Sequence, residues 1–404
     1  MFPHAIPTGG WRQPKNRPKS VVRTLSLAAL FVMAGIMTAA AAVLVPVPYG
    51  SLKGWAEDDH QAALVAFKRS CAEIRAEGRA FGRSVAYGGS REDWLPVCER
   101  AGHANDARRF FEQEFTALAV NDPVRPEGLF TGYYEPEAEG NRQRTAAYTV
   151  PIYARPADLV GFDKVTEDAV GLKYGRIAEG RPQGYFTRKE IEEGALEGRG
   201  LEIVWLKDWA DAFFIHIQGS GRVRLPDGSA IRLAYAAKSG QPYVGVGRIL
   251  VDHGILTEEN LSMQAVRGWM KDNPGAARQL MWQNQSFVFF REVEVEDAAL
   301  GAPGAQKVQL TPRRSLAVDR SLWMFGTPVW LEAEVPSGPG ASLESFRHLL
   351  IAQDTGTAIR GHARGDAYWG WGEGAALTAG HMKSAGRMVV LLPSGLAARL
   401  VLRQ

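Results

Sequence analysis

The chain reads as mainly β with peripheral helices, and three observations predict this. Short apolar runs bounded by Gly, Pro and Asn recur from Pro123 onward. The 44 Gly and 22 Pro, with 11 Trp, 11 Tyr and 17 Phe, favour short strands and turns over a helical bundle. Helical periodicity is confined to a few stretches, most of them early. At 404 residues the chain is longer than one ordinary domain, so one large or two modest domains are expected.

The elements follow in order. Arg12, Lys15, Arg17, Lys19 and Arg23 precede an uncharged run from Leu25 to Val47, with small residues at Ala39, Ala40 and Ala41. A basic n-region, an apolar core and small residues make an export signal. The run is also long enough to span a bilayer as a retained anchor, with the rest of the chain outside the cytoplasm. Segment 1–50 is therefore read as signal or membrane anchor, and no cysteine follows it closely enough for lipid attachment. Pro46 to Trp55 reads as a linker. Leu64, Phe67, Cys71 and Ile74 share one helical face, and a second helix is expected over Asp106–Val120. Leu129–Tyr134 and Tyr148–Tyr153 look like strands. Thr187 to Glu190 forms a capping box. Ile203–Leu206, Phe213–Gln218 and Ile231–Tyr235 are strand candidates, with Pro226-Asp227-Gly228 as a hairpin turn. A helix over Ser262–Lys271 should stop at Asn273-Pro274-Gly275. From Ser286 onward Phe287–Val295, Ser315–Val318, Pro328–Val335, His348–Asp354 and Arg387–Leu392 read as strands, and a β-barrel suits this last third.

Several function classes are excluded or weakened. A net charge of +3 gives no argument for nucleic acid. The eight histidines form no His-Glu-x-x-His pattern and the two cysteines no Cys-x-x-Cys, so neither a metal site nor a cofactor is expected. Gly245-Val246-Gly247 lacks a dinucleotide or phosphate fingerprint and fits a helix-entry turn. Gly219-Ser220-Gly221 lacks the outer glycines of a nucleophile elbow. Asp354-Thr355-Gly356 occurs once, whereas an aspartic protease shares a proton between two such carboxylates. Cys71 and Cys98 are read either as one disulfide of an exported protein or as two buried thiols.

Three aspartates remain in the β-rich segment: Asp319, Asp354 and Asp366. Asp319 and Asp354 close strand-like runs, whereas Asp366 falls in what reads as a loop, Gly365-Asp366-Ala367-Tyr368-Trp369-Gly370-Trp371-Gly372. Rings beside a carboxylate suit a sugar site, because apolar sugar faces pack on them. They also disfavour the charged carboxylate and keep it available as an acid. The alternative, in which the rings are barrel core and Asp366 caps a turn, stays open on these residues alone.

At these positions the sequence resembles the membrane-bound lytic murein transglycosylase A family. The matching segments are Thr131-Gly132-Tyr133-Tyr134-Glu135-Pro136, Val150-Pro151-Ile152-Tyr153, Ile217-Gln218-Gly219-Ser220-Gly221 and Gln283 to Phe290. The three-aspartate pattern is similar to the family's C-terminal module: Ala317-Val318-Asp319, Ala352 to Gly361, and Asp366-x-Tyr368-x-Gly370-x-Gly372. The resemblance implies a double-psi β-barrel over 56–155 and 295–404, an inserted β-rich domain over 156–294, and a glycan groove between them. It implies Asp366 as the catalytic acid, with Asp354 and Asp319 in support. Gln218, Gly219, Tyr133, Tyr134 and Trp369 become candidate sugar contacts. The expected partner is the peptidoglycan glycan strand, met by a monomer in the periplasm or cell envelope. The N-terminal segment would associate with the membrane if it is retained. The expected reaction is lytic cleavage, with a glycan-binding module or a lysozyme-like hydrolase as alternatives.

Overall fold

The computed structural model describes residues 43–78, 80–122, 126–294, 297, 299–336 and 342–403. The expected export segment lies outside them as far as residue 42. Its last residues have another use. Val43–Pro46 is a strand antiparallel to Phe115–Asn121, and Leu44 is buried there. The expected linker is also built into the fold. Trp55 is buried edge-on against Trp330 and donates its ring N–H to Glu112 Oε1 at 2.8 Å.

Six strands close into a barrel. Their neighbour order is Lys383–Pro393, Pro328–Pro336, Leu343–Asp354, Ser315–Val318, Arg364–Trp371 and Gly128–Glu135, which pairs back to Lys383–Pro393. Ser315–Val318 runs parallel to Leu343–Asp354, and Arg364–Trp371 parallel to Gly128–Glu135. Closure removes the sheet edges there, and Phe115–Asn121 adds to the outer half of Lys383–Pro393. The core packs Phe130, Leu316, Trp330, Leu350, Ala367 and Val389 together with the helices His60–Arg75 and Arg91–His103. Asp59 caps the first of these helices, and a Ser90–Asp93 capping box, not foreseen, opens the second. Cys71 and Cys98 join them in a disulfide. The barrel is of the double-psi type that the resemblance implies.

The second sheet has the order Val288–Val293, Ala230–Lys238, Ser220–Arg224, Glu137–Asn141, Glu202–Leu206 and Val150–Tyr153. The chain leaves the barrel after Glu135, so residues 137–155 belong to the inserted sheet and not, as expected, to the barrel. A helical layer of Trp209–Gln218, Val246–Asp252, Met263–Asp272 and Pro274–Gln283 buries Phe213, Leu250, Met270 and Leu280.

Three local expectations fail for physical reasons. The helix expected over Asp106–Val120 stops at Glu114, and Phe115–Asn121 is a strand with neighbours on both sides. Its doubly buried Ala117, Leu118, Ala119 and Val120 form an apolar run without alternation, which periodicity cannot tell from a helix. The reverse error covers Phe213–Gln218. It is the end of a helix capped by Asp208 and packed against both the inserted sheet and the helical layer, hence apolar all round. The stop expected at Asn273-Pro274 is in place, and a further helix starts at once with Pro274 in its first turn. Asp366 does not sit in a loop: Arg364–Trp371 is a barrel strand, its glycines serving close packing.

Candidate active site

The strand pair Gly128–Glu135 and Arg364–Trp371 carries the site, with Asp366 opposite Thr131 and Tyr368 opposite Tyr133. Alternation points Thr131, Tyr133, Asp366 and Tyr368 to one face. Phe130, Ala367 and Trp369 point to the other and pack with the main core. Trp369 lies against Phe346 and donates to Met382 Sδ at 3.4 Å, so it is placed as packing, away from the carboxyl. Gly132 lies beneath it. A Cβ there would come within 2.6 Å of the Trp369 ring and 2.8 Å of Ala379 Cα in the helix Gly372–His381.

Asp366 is half-buried. Its Oδ1 accepts the Thr131 hydroxyl at 2.6 Å, and Thr131 Oγ1 in turn accepts from Arg364 Nη2 at 2.8 Å. Since the arginine occupies a lone pair of that oxygen, the hydroxyl proton is directed at Asp366. Burial pushes the Asp366 carboxyl above the usual range. Arg364 and Thr131 pull it back, and the charge of Asp354 adds to the rise.

Asp354 accepts three hydrogen bonds. Its Oδ1 accepts the amides of Ala305 and Thr355, each at 2.9 Å, and its Oδ2 accepts the Tyr133 hydroxyl at 2.9 Å. Burial still raises its pKa against those three donors. Tyr133 is 8% exposed and packs on Tyr368, with ring centroids 5.2 Å apart, and burial next to Asp354 raises its hydroxyl too. Asp319 stands apart. It accepts from the amide and hydroxyl of Ser321, the amide of Gly361 and Arg360 Nη1, which hold it below the usual range despite burial. It ties two turns.

The inserted domain meets this pair of strands at Gln218, the last residue of Trp209–Gln218. Gln218 Oε1 accepts the Tyr134 amide at 3.2 Å, and its Nε2 approaches Met263 Sδ at 3.7 Å. Gly219 caps that helix at φ +75°, the left-handed conformation that favours glycine, and open space lies where its side chain would be. Tyr134 faces the opposite way from Tyr133, toward Arg267 and Asp211. A cavity of about 360 Å³ opens beside this junction, lined by Phe213, Ile217, Tyr243, Met263 and Val266 with Gly380 from the barrel side. It does not reach Asp366.

Sequence reasoning left several participants without a role. Thr131 and Arg364 hold Asp366. Arg222 and Arg232, from the inserted sheet, flank Glu135: Arg222 Nε donates to Oε2 at 3.0 Å, and Arg232 Nε forms an ion pair with Oε1 at 3.0 Å without hydrogen-bond alignment. Trp371 lies under Arg222 at 3.7 Å. Burial pushes the Glu135 carboxyl up to about 7 against the pull of Arg222. The period-2 spacing of Thr131, Tyr133 and Glu135 was the one available signal. Among the described residues no group of His, Cys, Asp or Glu gathers as a metal centre, and no helix is long and apolar enough to cross a membrane.

Comparison with known proteins fits this geometry. Residues 129–291 match the MltA specific insert domain and residues 314–392 the 3D domain. The membrane-bound lytic murein transglycosylase A of Vibrio cholerae serotype O1 is 34% identical over 263 residues, 64% of this chain and 64% of that protein. The match thus spans just under two thirds of that relative. The crystal structure of a membrane-bound lytic murein transglycosylase from Agrobacterium tumefaciens superposes with a TM-score of 0.80 at 33% identity, covering 88% of this chain and 99% of that one. The structure of E. coli MltA with bound chitohexaose gives 0.59 at 28% identity, covering 88% and 93%. Barrel, insert and acid together define a class, the 3D-domain proteins with an inserted second domain. Within it, the chain belongs to the membrane-bound lytic murein transglycosylase A family.

Proposed function

We propose that this chain is a lytic transglycosylase acting outside the cytoplasm. It would cut the β-1,4 bond between N-acetylmuramic acid and N-acetylglucosamine in peptidoglycan and leave 1,6-anhydro ends. Asp366 acts first as acid and then as base. Its proton goes to the glycosidic oxygen as the C1–O bond breaks. The C6 hydroxyl of the same muramic acid closes on C1 and returns its proton to the carboxylate. An intramolecular nucleophile already has a high effective concentration, so no second carboxylate and no positioned water are required. The observation that carries this reading is the Asp366 environment. Burial favours its protonated form, and Thr131 occupies Oδ1, leaving Oδ2 as the oxygen to carry the proton.

Asp354 supports the acid from behind. With both oxygens committed to protein donors it is not free to attack a sugar, which disfavours the two-carboxylate hydrolase. Asp319 acts structurally. Gln218 and Gly219 border the glycan from the insert side, Tyr133 and Tyr134 help shape the floor, and Trp369 acts through packing. A glycan-bound relative, the E. coli protein with chitohexaose, supports a glycan as ligand. The reading also takes the N-terminal segment as the means of export or anchorage and the chain as a monomer.

Asp366→Asn tests it, since the amide keeps the size and removes the titrating group. Cleavage of purified sacculi should fall to background, while binding of chitohexaose and the thermal transition persist. Anhydro-ended muropeptides from the wild type identify the lytic reaction; reducing ends, or cleavage by the variant, would reject it.

A further inference from the structure

We propose that Glu135 is a positioning residue: held by Arg222 and Arg232, it fixes the inserted sheet against the barrel strand that carries Asp366 and so sets the groove's geometry. The inference rests on the reading of Asp366 as the acid. Glu135 is the last residue of its barrel strand and is fully buried. Arg222 and Arg232 are direct cross-strand partners in the inserted sheet. Two guanidiniums placed opposite each other repel, and burying them costs more still, so they add nothing to their own sheet. Their placement makes sense only with the carboxylate between them, and that carboxylate comes from the other domain.

The contact reaches the acid through the backbone. Trp371, register partner of Glu135, ends the strand that bears Asp366, and the Arg222 guanidinium stacks on its ring at 3.7 Å. The Arg222 amide donates to the Pro136 carbonyl at 2.8 Å at the same crossing. The chain crosses to the inserted sheet after Glu135 and leaves it after Val293, so the domains' mutual angle depends on contacts such as this one. Full burial, with both oxygens facing guanidiniums, also keeps Glu135 from touching a sugar. A buried ion pair is poor evidence for stability but well suited to fixing one arrangement.

The test compares the wild type with Glu135→Gln in the folded, disulfide-bonded protein. A misplacement of the groove walls relative to the acid lowers turnover more than binding. In Glu135→Gln, kcat on glycan strands should fall at least tenfold. KM and chitohexaose affinity should stay within about threefold, and the pH–rate limb belonging to Asp366 should not move. Hydrogen exchange at the Arg222 amide should quicken at least tenfold. Arg222→Lys, which keeps the charge but loses the fork and the stack, should give a smaller change in the same direction, and it serves if Glu135→Gln does not fold. Unchanged kcat with unchanged exchange would overturn the proposal. So would a lost pH limb, which would make Glu135 catalytic, or a lowered Tm with normal turnover per folded molecule, which would make it merely structural. If the wild type cleaves no glycan, the reading of Asp366 fails, while the exchange comparison still decides the domain contact.

Discussion

The Thr131-Gly132-Tyr133-Tyr134-Glu135 segment shows how much one strand can do. On one face Thr131 holds the acid and Tyr133 holds Asp354. Between them Gly132 admits a helix, and the Tyr134 amide takes Gln218 of the inserted domain. Removing the Thr131 hydroxyl removes a bond that favours ionised Asp366, so the Asp366 pKa should rise further. Thr131→Val is expected to move the falling limb of the pH–rate profile to higher pH by up to roughly one unit, the value of one such bond. A limb that stays put, or moves down, would refute the arrangement. Stability should respond in the other direction. An acid whose pKa is raised on folding binds more protons folded than unfolded, so stability is lost as pH climbs from the unfolded pKa through the folded one. Asp366→Asn removes that penalty. It should raise Tm at pH 7 by about 2–4 °C for each kcal/mol relieved, and the gain should vanish below about pH 4. Melting curves at the two pH values decide it.

At the scale of elements, short strands bounded by turn residues were legible in the sequence, whereas two apolar runs were not. Val150–Tyr153, Ser315–Val318 and Pro328–Pro336 fell close to where turn chemistry and β-branched residues put them. The Thr187 capping box is in place because its signal is local. Phe115–Asn121 and Phe213–Gln218 exchanged identities, since neither has a solvent face to mark its period. The glycines around Asp366 suggested a loop, yet Gly365 packs closely, and a Cβ there would come within 2.9 Å of Leu316 and 3.2 Å of Phe130. Close packing, which a single sequence does not reveal, was the missing term. The candidate site divides in the same way. Its acids were readable as a pattern, whereas Arg222 and Arg232 lie far from Glu135 in the chain, and Arg364, only two residues from Asp366, holds it through Thr131 of the neighbouring strand. Gly132 offers a test of the packing argument. Gly132→Ala should push the helix Gly372–His381 off its strand and cost about 1–3 kcal/mol. An unchanged melting temperature would show that the helix is not seated there.

For the molecule as a whole, the apolar N-terminal run and the disulfide fit one proposal, that the chain folds in an oxidising compartment. Cys71 and Cys98 are fully buried and join two helices that pack on the barrel core, 27 residues apart in sequence. Closing a loop of that size restricts the unfolded chain by about 3–4 kcal/mol, a large share of an ordinary domain's stability. Such a bond does not persist among cytosolic reductants. Folding outside the cytoplasm would therefore be recorded in the chain's covalent state. The full-length protein, taken from the cell envelope and denatured, should offer no thiol to an alkylating reagent. A version lacking residues 1–42 and kept in the cytoplasm should offer two and melt lower, by on the order of 10 °C. Oxidising the truncated protein after purification should restore the difference, because the same two helices already hold the sulfurs side by side. Two reactive thiols in the envelope-derived protein would break the link between export and the bridge, and with it the argument that this fold is completed outside the cytoplasm.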